Sequence, residues 1–163
     1  MNTRILNTHM NVAAEYATLS RARRLKVGAI VVKDNRIISI GYNGTPPGWD
    51  NNCEDELSDG SLKTKAEVLH AEENAIGKLA RSHESGENAT MFITHAPCAQ
   101  CAKLILVSGI SSVYYRDKYR DDSGIAFLEK SGVKVQQLEE ESCQQIDTTN
   151  ATAAKLSSKF DMT

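Results

Sequence analysis

The sequence predicts an α/β fold, a three-layer α/β/α sandwich built on a five-stranded mixed sheet. Three observations carry this expectation. Short β-branched runs alternate with segments of helical spacing along a chain of 163 residues. The first two runs are joined by the turn dipeptide Asp34-Asn35, as in a hairpin. The last two runs are separated by a helical segment, and such strands pair in parallel through a right-handed crossover.

The elements follow in order. Met10, Ala13, Ala14 and Ala17 fall at helical spacing, which predicts a first helix over 7–21. Residues 27–32 form a compact apolar run and read as a strand, with 36–42 returning beside it. Residues 43–62 carry Gly44, Pro46, Pro47 and Gly48 and an acidic cluster over 54–56, so they read as a long loop. Connections of that length are more often functional than idle. A helix is expected over 70–79 and a strand over 89–94. Pro97 is read as a first-turn proline of a helix over 98–108, which Gly109 closes. A strand over 111–115, a helix over 122–130 ended by Ser131-Gly132, and a last strand over 133–138 complete the series. The chain is read as one domain over 1–163. The polar tail from about 139 is open to three readings: a loose helix, a subunit contact or disorder.

Composition narrows the function. Hydrophobic residues make up 40% and charged residues 25%, as in an ordinary globular domain. The formal net charge of -2 and pI of about 6.1 oppose a long nucleic-acid substrate, whose binders are usually basic. A small anionic ligand needs only a local basic pocket. No apolar run approaches the roughly 18 residues of a membrane span, and the N-terminus has no signal-peptide core. A cytoplasmic location is therefore expected. In that reducing compartment Cys53, Cys98, Cys101 and Cys143 are read as metal ligands or free thiols.

Two short segments carry chemistry. Cys98 and Cys101 lie three apart at an expected helix start, so both sulfurs can reach one ion, and the helix N-terminus favours their thiolates. His70, at the start of another helix, adds an imidazole. Three protein ligands leave a fourth tetrahedral position for water, and zinc suits a mixed sulfur and nitrogen set. Glu72, two residues beyond His70, is free to act as a proton carrier. Hydrolytic deamination of an amidine-like ring carbon follows from these roles. His-x-Glu with Pro-Cys-x-x-Cys is the established zinc-deaminase pattern, so here a known signature is being matched.

With these residues in place the chain resembles the cytidine and deoxycytidylate deaminase superfamily over about 8–138, and within it the deoxycytidylate branch. Three segments carry the resemblance: His70-Ala71-Glu72-Glu73-Asn74-Ala75-Ile76, Gly41-Tyr42-Asn43-Gly44-Thr45-Pro46, and Tyr115-Arg116-Asp117-Lys118-Tyr119-Arg120. It implies a cytidine-deaminase-like fold and conversion of dCMP to dUMP and ammonia, supplying thymidylate synthesis. It also implies a homohexamer, with dCTP activating and dTTP inhibiting, each with Mg2+, at a second site. Candidates for that site are Asn43, Gly44, Thr45, Lys26 and Arg120. Ala71, Thr94, His95 and Ala96 are expected around the base, with Tyr115 stacking, hydrogen-bonding or simply structural.

A monophosphate wants arginine, lysine and backbone amides. Arg21, Arg23, Arg24 and Lys26 precede the first strand, while Arg116, Lys118 and Arg120 follow the fourth. Arg116 and Lys26 are the first choices for the phosphate, against the alternative of solvated surface charge. Asn43 suits a ribose hydroxyl, or is a turn asparagine. Some family members hold a second, structural zinc. Here Leu69 offers no ligand, and Cys53 is expected to be a buried thiol. Trp49 packs at a subunit contact or over a nucleotide. The rival activities are a nucleoside deaminase and a deaminase of tRNA adenosine or single-stranded DNA. The latter would want a wider basic groove and more stacking aromatics than a 6% aromatic content supplies.

Overall fold

Side-chain alternation in the central strands determines the layering. The computed structural model describes residues 2–139; the tail beyond them, with Cys143, lies outside the described residues. Strand β1 (Gly28–Lys33) sends Ala29 and Val31 into one core and Ile30 and Val32 into another. Strand β5 (Thr90–His95) divides Met91 and Ile93 from Phe92, and β6 (Ser112–Asp117) divides Val113 and Tyr115 from Tyr114 in the same way. Both faces of these strands are therefore apolar, which requires helices on both sides.

Helix α1 (Thr3–Thr18) covers one face through Leu6, Met10 and Ala13. Helices α2 (Ala71–Leu79), α3 (Ala99–Val107) and α4 (Ser123–Lys130) cover the other through Ala71, Ala75, Leu79, Ala102, Ile105 and Leu128. With β2 (Arg36–Tyr42) and β7 (Lys134–Gln137) the sheet order is β2-β1-β5-β6-β7. β1 is antiparallel to β2 and β5, whereas β5, β6 and β7 run parallel. The three-layer α/β/α architecture and its five-stranded mixed sheet are as expected. No helix among the described residues is long and apolar enough to cross a membrane.

Three differences from expectation have physical reasons. The long loop contains a small hairpin, β3 (Glu54–Glu56) and β4 (Leu62–Thr64). Its strands are too short to show alternation, although the Asp59-Gly60 turn between them is a hairpin signal, with Gly60 at φ +77. Pro97 does not open the first turn of α3: Cys98 is the N-cap, and Pro97 precedes it in the buried interior. Strand β6 runs on to Asp117, past the expected end at 115, because Tyr115 pairs with Ile93 and Asp117 with His95.

Gly41 fixes the distance between β2 and α2. A Cβ there would meet the Ala71 carbonyl oxygen, and the Ala75 nitrogen at 2.6 Å. Gly41→Ala is therefore expected to push α2 off the sheet and cost about 1–3 kcal/mol, as overpacking does. Urea unfolding should show the lowered midpoint; a midpoint equal to the wild type would refute the contact.

Candidate metal centre and its cavity

The two chemical segments meet because α2 packs against α3 and the starts of the two helices come together. His70 is the N-cap of α2 (φ -73, ψ 161) and Cys98 the N-cap of α3 (φ -72, ψ 167), both extended. The main-chain nitrogen of His70 donates to the Glu73 carboxylate at 2.6 Å, which satisfies the helix start from within. On the other side, α4 presses against the Pro97–Cys98 backbone at Gly124, where a Cβ would collide with the Pro97 carbonyl oxygen.

The result is a three-donor cluster. His70 Nδ1 lies 3.8 Å from Cys98 Sγ and 3.3 Å from Cys101 Sγ, and all three donor atoms fall within 4.8 Å of one another. Tetrahedral zinc with ordinary bond lengths separates nitrogen from sulfur by about 3.6 Å and sulfur from sulfur by about 3.8 Å. The donor set therefore fits zinc in both chemistry and spacing, with Nδ1 as the imidazole donor.

Protons show how strongly these groups are coupled. The Cys98 thiol falls to about 3, because Cys101 and then His70 hydrogen-bond to its thiolate. His70 rises to about 9, chiefly through that bond to Cys98. The Cys101 thiol is pushed up, first by its bond to Cys98 and then by burial. Glu72, 4% exposed, rises to about 7 because burial penalises its charge. A cation in the cluster would replace the protons on His70 and Cys101.

The cluster opens into a cavity of about 380 Å³, within the usual range for a small-molecule site. His70, Ala71, Glu72 and Cys98 form its floor; Asn43, Val27, Val68, His95 and Ala96 line it; Arg24, Leu25, Thr64, Lys118, Tyr119 and Arg120 complete it. His95 is held from two sides, with Nδ1 3.2 Å from Thr94 Oγ1 and Nε2 3.6 Å from the Asp117 carboxylate. Burial lowers its pKa.

Several expected residues do not line the cavity. Tyr115 faces the helical core beside Val113, as its strand position demands. Arg116, the next residue, pairs with Asp117 through Nε at 3.1 Å, and its carbonyl accepts from Gln137. Since β6 extends to Asp117, the cations of this segment that reach the cavity are Lys118 and Arg120, beyond the strand end, and Arg24 joins them from before β1. Lys26 is exposed, while its neighbours Leu25 and Val27 line the wall. Thr94 is buried behind the wall, its hydroxyl accepting from the Gly28 amide. Asn43 does line the cavity, but its amide also braces the main chain: Oδ1 accepts from Val27 N and Nδ2 donates to Leu25 O, both at 2.8 Å. Gly44 forms a two-way backbone bridge to Leu69, directly before His70, and does not line the cavity; nor does Thr45.

Cys53 is a free, buried thiol packed with Ala22 and Val68. Trp49 is 58% exposed and does not border the cavity. Sequence reasoning missed Leu25, Val27, Thr64, Val68 and Tyr119. Only the contact between the hairpin and the chain before β1 brings Thr64 there, and no local spacing encodes that.

The raised Glu72 pKa sets a stability test. In metal-free protein the folded state keeps this proton between pH 4.5 and about 7, where the unfolded chain releases it. Stability from this group is thus present at low pH and lost as pH rises through about 7. Glu72→Gln should remove that loss, gaining roughly 2–3 kcal/mol over the wild type at pH 8 compared with pH 5 in chelator. Parallel urea midpoints for the two proteins at both pH values would contradict it.

Comparison with known proteins agrees with this site. Residues 3–117 match the model of the cytidine and deoxycytidylate deaminase zinc-binding region. ComE operon protein 2 of Bacillus subtilis is 39% identical over 127 residues, 76% of this chain and 65% of that one. Deoxycytidylate deaminase of Saccharomyces cerevisiae is 35% identical over 135 residues, but the match spans only 43% of its length. The dCMP deaminase of cyanophage S-TIM5, solved with dCMP and dUMP, superposes with a TM-score of 0.79 at 45% identity, covering 85% of this chain and 99% of that one. By its three-donor cluster, its sheet and these likenesses, the chain belongs to the cytidine and deoxycytidylate deaminase family.

Proposed function

We propose that the cavity deaminates dCMP to dUMP and ammonia. One observation carries the reading: His70 and Cys98 of the three-donor metal cluster, a buried carboxylate and three cationic side chains border the same cavity. The first two suit hydrolysis of an exocyclic amine, and the third suits a substrate that ends in phosphate. The relatives bearing the deoxycytidylate deaminase name support the same substrate.

His70, Cys98 and Cys101 would hold zinc, whose Lewis acidity brings the pKa of water down to about 7 in comparable sites. Glu72 does the proton work. Its carboxylate takes a proton from the attacking water and delivers it to the ring nitrogen of cytosine, then passes the second to the departing amine. The C4–N bond breaks as the C4–O bond becomes a carbonyl, so water and dCMP give dUMP and ammonia. Burial of Glu72 suits both halves of this task, since desolvation lifts its carboxyl above the ordinary carboxylate range and toward neutral pH, where a carrier can accept and release.

His95 and Ala96 form the wall for the base, with Ala71 beneath, and Asn43 remains the candidate for the ribose hydroxyl. Arg24, Lys118 and Arg120 replace Arg116 and Lys26 as the phosphate candidates, because they border the cavity. We further propose a cytoplasmic homohexamer, with dCTP and dTTP acting with Mg2+ at a second site that includes the 43–45 loop. Exposed Val107 and Leu19 would be available to such an assembly.

Glu72→Ala should keep stoichiometric zinc and lose roughly 10²–10⁴ in turnover, the usual contribution of a proton carrier. Cys98→Ala should lose the zinc itself. Metal analysis beside turnover separates the two; a zinc-loaded Glu72→Ala enzyme at full rate would remove Glu72 from the mechanism.

The substrate is tested by ammonia release from dCMP, deoxycytidine, CMP and adenosine, with and without dCTP or dTTP plus Mg2+. Preference for dCMP is expected. Arg24→Ala should raise its KM about tenfold or more, as loss of a charge-assisted hydrogen bond does. Equal turnover of deoxycytidine by the unmodified enzyme would discard the phosphate reading and leave a nucleoside deaminase.

A further inference from the structure

Glu54 lies outside the cavity, yet this carboxyl residue is only 2% exposed, an expensive burial unless something compensates. Its Oε1 accepts from two consecutive main-chain amides, Arg23 N at 3.0 Å and Arg24 N at 3.2 Å. Its Oε2 is buried without a hydrogen bond, with Arg23 Nε 3.9 Å away. The residue paired with Glu54 across the hairpin is Thr64, whose hydroxyl accepts from Arg24 Nη1 at 2.8 Å. One rung of the hairpin thus grips Arg24 twice, by its main chain and by its guanidinium. Arg24 and Thr64 both border the cavity.

We infer that the β3–β4 hairpin is a phosphate-selectivity clamp, in which Glu54 is a positioning residue that fixes Arg24 for a substrate's terminal phosphate. The inference rests on the dCMP reading above. A guanidinium loses less entropy on binding when its fork is already oriented, so the clamp makes the phosphate contact stronger without adding a contact. A nucleoside, which has no phosphate, gains nothing from it. The clamp therefore acts on discrimination between nucleotide and nucleoside, and leaves the chemistry of Glu72 untouched.

The test measures KM and kcat for dCMP and deoxycytidine in the zinc-loaded full chain. Glu54→Ala should raise KM for dCMP about five- to tenfold, with kcat within twofold and deoxycytidine turnover unchanged. Glu54→Gln keeps an acceptor for the two amides and should recover part of that loss. Thr64→Val, which removes the hydroxyl under the guanidinium, should raise the ratio of the dCMP to the deoxycytidine KM; it carries the test if Glu54→Ala does not fold. Equal losses on both substrates would reduce Glu54 to a fold-stabilising residue and overturn the clamp, as would an unchanged KM for dCMP. If the unmodified enzyme itself shows no preference for dCMP, the substrate reading fails first, whatever the variants do.

Discussion

Two helix starts must meet at one point, and most of the structure serves that requirement. His70 and Cys98 cap α2 and α3 with nearly the same extended backbone, so both side chains leave the chain before the helix begins. The helix termini favour negative charge there, which matches a thiolate at Cys98. Bringing donors this close without a cation would repel, were it not that protons stay on His70 and Cys101. The spacing is thus already suited to zinc while the charge is balanced by protons, and metal binding becomes an exchange of one for the other.

The glycines beside the site follow from the same requirement. At Gly41 the sheet touches the backbone of α2 one residue after His70, and at Gly124 helix α4 touches the backbone at Pro97 and Cys98. Neither glycine bears on chemistry. Each lets main chain lie against main chain, so that the ligand positions are set by backbone contact, which cannot relax by changing rotamer. The Gly44 bridge to Leu69 adds a third constraint, tying the residue before His70 to the end of β2. The motif from Gly41 to Pro46 therefore has a packing explanation for Gly41 and a bridging one for Gly44, alongside the cavity position of Asn43.

What was legible in the sequence divides by range. The five strands of the main sheet, their succession along the chain and the parallel crossover of the last two could be read because each rests on local periodicity and a connection rule. The donors could be read because Cys98 and Cys101 share one helix start and His70 shares its neighbourhood with Glu72 in the chain. The cations of the cavity could not, because a two-residue extension of β6 decides which of them reach it. Ending the strand at 115 makes Arg116 the first residue of a loop; running it to Asp117 places Arg116 within the strand, beside an acid, and moves the choice to Lys118 and Arg120. Strand ends are set by pairing with a neighbour, here Asp117 with His95, and a single strand does not contain that information.

Charge shows the same limit of whole-chain properties. A net charge of -2 argued against a polymer, and the structure shows that positive charge is gathered locally all the same. Arg24 comes from before β1, Lys118 and Arg120 from after β6, and the fold gathers them on one cavity while the chain as a whole stays acidic. Screening confines each charge to about 10 Å at ordinary ionic strength, so three cations lining one cavity dominate the potential there, and distant acids contribute little. A polymer would sample the whole surface and meet those acids, whereas a ligand small enough for the cavity would meet only its lining.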